Sequence, residues 1–468
     1  MKSRVKDVLE PTRPWYLHLA IIVAGALAML SVPLVNGYPL LDADSGTYLR
    51  SAFTGLVPMD RPYWYGLFVR IASLNGSSLW GVVAAQAALC SYVLWRSWCA
   101  FGDGRAWTYL LTIALLAPCT GMGWYAGQIM SDTFTITGVL AGVLLLLAPA
   151  RLAERIGWAI LLVFTCWSHS SHMLIMPVTF ALIMIVLRLR RQWPERSRVL
   201  MLITSLVIAW PGLYFANKAV SGEAFISRYS HVFLMSGMAG SGMLRIWLEE
   251  HCPDDRYRIC IYKDSIPTTQ KDFMWSARGP LQWQGGPIAV REEYEAIISS
   301  TLRDPRYLAM HVRASLMNTA RVLTIWRLAD GIEGDYYRQD YSPTYGTMKE
   351  YMPHELDDFL GSAQNTGAGT LGLRWMDLIY QFVLGIAILL GAWLVRSDRR
   401  PQRTLLLLTS AVIAIGVGAW VCGTLSTVDS RFMARTAWLL PFLVAMLLWN
   451  LQRSAPTGIA SVQQWPVR

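Results

Sequence analysis

Ten stretches of this chain are long, apolar and nearly free of charge, and they recur from one end to the other. They lie at roughly 15–36, 77–98, 106–122, 131–150, 156–169, 172–189, 199–219, 372–395, 404–423 and 432–451. A helix that crosses a bilayer needs about 20 apolar residues. The fifth stretch is short and interrupted by Ser and His. Of the 468 residues only 15% are charged, where a soluble domain carries about 25%. The 21 tryptophans suit a protein with rings at membrane interfaces. The fold class expected is an all-α polytopic membrane protein of about ten transmembrane helices. The basic, polar start lacks a small-residue cleavage site after it, so the first apolar stretch reads as a retained helix.

The loops give an orientation. Lys2, Arg4, Lys6 and Arg13 precede the first stretch. Arg96 and Arg105 follow the second, Arg151 and Arg155 the fourth, "RLRRQWPERSR" the sixth, "RSDRRPQR" the eighth and Arg453 the tenth. Basic loops stay in the cytoplasm, so both termini are expected there; the short loops suggest the inner (plasma) membrane of a bacterium. The net charge of +10 is spread over these short loops rather than one soluble face, which speaks against a nucleic-acid partner. Three parts follow: residues 1–219 with a first outer loop at 37–76, an outer region at 220–371, and C-terminal helices at 372–468. Within the first loop, "SGTYLRSAFTGL" and "YWYGLFVRIASL" read as two amphipathic interfacial helices, with Tyr63, Trp64 and Tyr65 at headgroup level. The outer region reads as mixed, with Gly/Ser-rich "MSGMAGSGM" and a helical stretch around 290–329. Cys252 and Cys260 in "EEHCPDDRYRIC" suit a disulfide on an oxidising face better than a zinc site, since only His251 is adjacent. The other five cysteines read as apolar fillers.

The odd-numbered exits carry different chemistry: Asp42, Asp44, Asp60, Asp132, His169, His172, Asp429, Arg431 and Arg435. Polar groups at membrane depth are costly and usually line a cavity or site. Asp44 suits either a helix cap before Ser45 or a general base, with Asp42 its rival. Asp132, at the head of the fourth stretch, is a cap or a second acid facing Asp44 across a cavity. His169 and His172, at i and i+3, are a polar helix end or a phosphate or metal contact. Arg431 and Arg435, at i and i+4, form one basic face suited to phosphate, against the plainer role of interface anchors. Tyr48 and Arg61, in the first loop, complete the substrate-binding set.

Acids and arginines at the outer surface, beside helices that could admit a lipid, resemble the GT-C superfamily of integral membrane glycosyltransferases. The resemblance rests on "DADSGTY", "SDTF" and "DSRFMARTAWLLPF", in that order along the membrane part of the chain. It implies transfer of a sugar from a polyprenyl-phosphate donor to an envelope glycan, lipid or protein at the outer face, with membrane lipid as a further partner. Asp44 or Asp42 would be the base, Asp132 a second acid for acceptor or metal, and Arg431 a contact to the donor phosphate. Many members need no cofactor, and a divalent metal stays open. Two other classes compete. A polymerase or ligase would use Arg303, Arg306, Arg313, Arg321 and Arg327. A transporter would place ionisable groups at mid-bilayer.

Overall fold

A computed structural model describes residues 14–252, 257–330, 332, 337–340, 342–366, 368–396 and 402–454. Lys2, Arg4, Lys6, Arg13, Arg399 and Arg400, which entered the orientation argument, lie outside the described residues, as does the side chain of Arg453. The described residues form helices and no strand; one isolated bridge pairs Leu40 with Gln128.

The helices used below, in chain order, are α1 (Trp15–Met29), α2 (Ala43–Thr54), α3 (Trp64–Ala72), α4 (Leu79–Phe101), α5 (Ala106–Leu116), α6 (Thr133–Leu147), α7 (Leu152–Ser168), α8 (His172–Leu189), α9 (Arg196–Ser221), α10 (Ser230–Gly240), α11 (Arg291–Arg303), α12 (Pro305–Thr324), α13 (Pro343–Tyr351), α14 (Ala368–Val395), α15 (Gln402–Leu425), α16 (Ser430–Ala437) and α17 (Leu439–Ser454). All ten apolar stretches are helical. Five helical segments are long and apolar enough to cross a membrane: α8, α9, Trp375–Val395 within α14, α15, and Ser430–Gln452 across α16 and α17. Three more apolar helices are shorter. Prolines account for several breaks, because they lack the N–H of the helical ladder. Pro33 follows the break at Leu30, Pro118 sits in a 3-10 turn after α5, and Pro441 denies Ala437 its hydrogen bond where α16 gives way to α17. The chain is a helical membrane protein.

The even and odd exits separate to opposite ends of the bundle. At one end Arg96 pairs with Glu154 at 2.6 Å and Arg155 with Glu195 at 3.6 Å. There Arg198 donates to the Ala148 carbonyl, and Thr404 and Asn450 both donate to the Phe101 carbonyl. At the other end Leu40 and Ser45 bond the backbone of 127–129, and Tyr125 donates to the Arg431 carbonyl. In lipid the helices have no hydrophobic drive to associate, so close packing must hold them. Gly142 on α6 shows this: a Cβ there would lie 2.0 Å from the Phe180 ring of α8.

Region 220–371 is helical rather than a mixed loop. Tyr229, Val232, Met235, Trp247, Phe273 and Tyr294 belong to a second buried cluster, separate from the main bundle core. The Cys252–Cys260 disulfide lies at its edge, both cysteines packing against the cluster. From this unit α12 runs back along α15, where Ser315 and Thr424 share a 2.6 Å hydrogen bond. Then α13 packs on α2, whose Gly46 leaves no room for a side chain: a Cβ would sit 2.6 Å from the Thr344 nitrogen. Both first-loop helices form, but Tyr65 is not at a headgroup surface. It is fully buried, donating to Gln86 at 2.5 Å, and Trp64 leans on Trp167.

Candidate active site

The site lies at the acidic end and is built by three helix starts. The first is α2. Asp42, not Asp44, is its cap: Asp42 Oδ1 accepts the Asp44 N–H at 2.6 Å, and Ser45 Oγ accepts the Asp42 N–H at 2.9 Å. Ser45 three residues after Asp42 completes the reciprocal box. Thr344 Oγ1 also donates to the Asp42 carbonyl, so this turn is pinned from three sides. Asp44 is thereby turned outward, onto two arginines. Arg61 Nη2 meets its Oδ1 at 2.9 Å and Arg431 Nη1 its Oδ2 at 2.8 Å.

The second start is α16. Asp429 caps it, accepting the Arg431 N–H at 3.0 Å, while its other oxygen pairs with Lys271 at 2.8 Å. One turn of helix then places Arg431 and Arg435 on one face. Arg431 Nη1 reaches Asp42 Oδ2 at 3.3 Å as well as Asp44. Arg435 is fully buried, bonded to Asp132 Oδ1 at 2.5 Å and to Cys422 Sγ at 3.2 Å. It is not a snorkelling anchor.

The third start is α6. Asp132 makes no cap bond; its oxygens serve the arginines, Arg435 directly and Arg431 Nε at 3.9 Å. It does not face Asp44 across open space. It is completely buried behind Arg431. Tyr48 donates to or accepts from Ser131 at 3.0 Å and lies under the Arg61 guanidinium.

His169 and His172 do not share a helix face. His172 opens α8 and is buried, its Nε2 on Thr135 at 2.7 Å and its Nδ1 donating to the Thr165 carbonyl at 2.9 Å. His169 precedes the helix in extended backbone. Its Nδ1 accepts from the Ser171 N–H at 3.2 Å, so the proton of the neutral ring sits on Nε2.

Above these groups opens a cavity of about 430 Å³. Asp42, Asp44, Asp60, Arg61, His169 and Arg431 lie on its polar side, with Lys271 and Asp429 at the rim of the second helical unit. Apolar side chains make up much of the rest, including Leu174, Trp210, Phe233, Trp275, Leu425 and Phe432, with Asp330 and several Ser and Thr residues between them. Asp132, Arg435 and His172 do not reach the cavity. Cys422 does, so it is more than a filler; Cys90 and Cys166 are buried, and Cys99 and Cys119 half-buried.

The charges nearly balance. Five carboxylates (Asp42, Asp44, Asp60, Asp132, Asp429) meet four cations (Arg61, Lys271, Arg431, Arg435). The surplus falls on Asp42. Burial and the neighbouring Asp44 charge push its carboxyl up to about 7. Burial acts the same way on Asp44, but Arg61 and Arg431 overcome it and hold that carboxyl well below the usual range. Each Asp44 oxygen is occupied by a guanidinium, so the paired acids present a poor donor set for a metal. Among the described residues no group of three His, Cys, Asp or Glu side chains gathers as one.

Comparisons with family models, curated proteins and solved structures return no match. The function must be argued from the site itself. Sequence reasoning missed Lys271 and Trp275, which come from the second helical unit and have no motif to mark them. The arginines of the rival class scatter instead of converging: Arg306 pairs with Glu250 at the surface, while Arg303, Arg313 and Arg327 border three different hollows.

Proposed function

We propose that this chain is a membrane glycosyltransferase of the kind its resemblance implies, moving a sugar from a polyprenyl-phosphate donor to a hydroxyl of an envelope acceptor. The observation that carries the proposal is one open cavity lined by large apolar side chains together with Asp42, Arg431 and Lys271. A ligand with an apolar tail and an anionic head matches that lining. Asp42 is the base, in preference to Asp44. Its Oδ1 is committed to the helix cap, so Oδ2, which meets Arg431 Nη1 at 3.3 Å, is the oxygen that takes the acceptor proton. A base near neutrality is best placed for proton transfer at physiological pH.

In the step proposed, Asp42 takes the proton of the acceptor hydroxyl as its oxygen bonds to the anomeric carbon. The bond from that carbon to the phosphate oxygen breaks, and the polyprenyl phosphate departs with the electron pair. Arg431 and Lys271 offset its charge. Removing one such donor typically costs about 10²–10³-fold in rate. Asp44 stays ionised and aims Arg61 and Arg431. Asp132 and Arg435 form a buried post behind Arg431, and His172 holds α8 to α6. His169 completes the binding wall, and the buried ring of Tyr48 supports Arg61 from beneath.

The same proposal includes ten crossings, with the basic end in the cytoplasm and the cavity outside the inner membrane. The gathering of all even exits at one end supports it. The test is titration of the purified protein in lipid nanodiscs with polyprenyl phosphate, read by native mass spectrometry. Saturable binding that Arg431→Ala weakens at least about tenfold is expected. Binding unchanged in that variant would contradict the proposal.

A further inference from the structure

Behind the loop that carries Asp429 lies a second cavity, of about 470 Å³. It is within the range of small-molecule sites, about 300–1,000 Å³. Its lining differs from that of the first. Arg327, Asp330, Gln381 and Ser430 face it, with Trp326 as its large ring, and few other apolar side chains line it. Lys271, Asp330 and Asp429 line both cavities, so the two share one partition. The partition is thin: along 428–431, Ser430 borders the second cavity and Arg431 the first. Gln270 holds the partition by accepting the Val428 N–H at 3.0 Å. Its most exposed member is Lys271, joined to Asp429 at 2.8 Å.

The lining gathers a guanidinium (Arg327), a carboxylate (Asp330) and an amide (Gln381) around one hollow, with the Trp326 ring beside them. Carboxylate, amide and guanidinium groups beside an indole ring suit hydroxyl-rich rings: hydroxyls pair with the polar groups, and the apolar ring face lies on the indole.

We infer that this second cavity is the acceptor site, and that it takes a saccharide, whose reacting hydroxyl passes the Lys271–Asp429 pair to reach Asp42. The inference rests on the transferase reading above. It adds that donor and acceptor approach from opposite sides of the 428–431 loop, one through apolar surroundings and one through polar surroundings.

The test uses two variants and two readouts. Gln381→Trp fills the cavity from α14, and Arg327→Gln removes one charge that lines only this cavity, with little change in shape. Envelope glycans from cells carrying each variant are measured by mass spectrometry, taking as product the species lost on deletion of the chain. Polyprenyl phosphate binding is measured on the purified variants in nanodiscs. The product is expected to fall at least about tenfold in Gln381→Trp, while the Kd for polyprenyl phosphate stays within about twofold. Product at the wild-type level in Gln381→Trp would overturn the acceptor assignment and leave the donor reading standing. Loss of polyprenyl phosphate binding in a folded Gln381→Trp protein would also overturn it, since the cavity would then serve the donor. If Gln381→Trp fails to fold, Arg327→Gln decides by the same two readouts. Failure of the wild-type protein to bind polyprenyl phosphate is a separate result: it removes the transferase reading and this inference with it.

Discussion

Asp42 and Asp44 are two residues apart and do opposite work, because the cap turns one inward and the other onto arginines. The spacing D-A-D shows two acids but not which one caps. Ser45 holds that information: it stands at the third helical position only if Asp42 is the cap. The pair yields a pH prediction with a definite sign. The Asp42 carboxyl, raised to about 7, is protonated below that pH and cannot take a proton. Transfer should fall about tenfold per unit below about pH 6 and level off above about pH 8. Asp44→Asn removes a negative charge that raises Asp42. The residual rate of that variant should therefore have its midpoint shifted to lower pH. Asp42→Asn should lose about 10²–10⁴ in rate. A midpoint unmoved by Asp44→Asn would argue against Asp42 as the base.

At the scale of elements, the site depends on helices being held by groups that never touch a substrate. Arg435 and Asp132 are both fully buried, and each is the other's main partner. Breaking such a pair from one side costs about 3–5 kcal/mol, because a charge is left buried and unpaired. Asp132→Asn should therefore lower the melting temperature in detergent markedly, whereas the double variant Asp132→Leu/Arg435→Met should recover much of the loss. Recovery without activity would mark the pair as positioning Arg431. A second prediction concerns α2. Gly46→Ala forces a methyl group into the backbone at Pro343 and Thr344. That crowding should cost about 1–3 kcal/mol and push α13 off the helix that carries Asp44. An unchanged melting temperature would mean that α13 yields freely. Helix existence was legible here from apolar runs alone. Helix breaks were not, because hydropathy runs straight through Pro33, Pro118 and Pro441. The seat of α13 was also hidden, since it joins residues some 300 positions apart and leaves no local period.

At the scale of the molecule, basic and acidic exits alternate along the sequence, and among the described residues the basic exits contact one another while the acidic ones gather at the cavity. The second helical unit was legible only in part: the stretch around 290–329 reads as helical and forms α11 and α12, but the segments before it did not declare themselves. Those segments are short helices, too brief for periodicity to declare and rich in Gly, Ser and Pro. Lys271 and Trp275 were invisible for that reason. The Cys252–Cys260 bridge offers a check on sidedness. In intact cells neither cysteine should react with a thiol label until reductant is added. Labelling of both without reductant would put this end of the bundle in a reducing compartment and reverse the orientation.

The most direct test of the central claim is mass spectrometry of envelope glycans and glycolipids from three strains of the source organism: intact, deleted for this chain, and carrying only Asp42→Asn. The account predicts that one defined sugar is missing from a glycan in both mutants, with the Asp42→Asn protein present in the membrane at its normal level. A glycan profile identical in all three strains would contradict it.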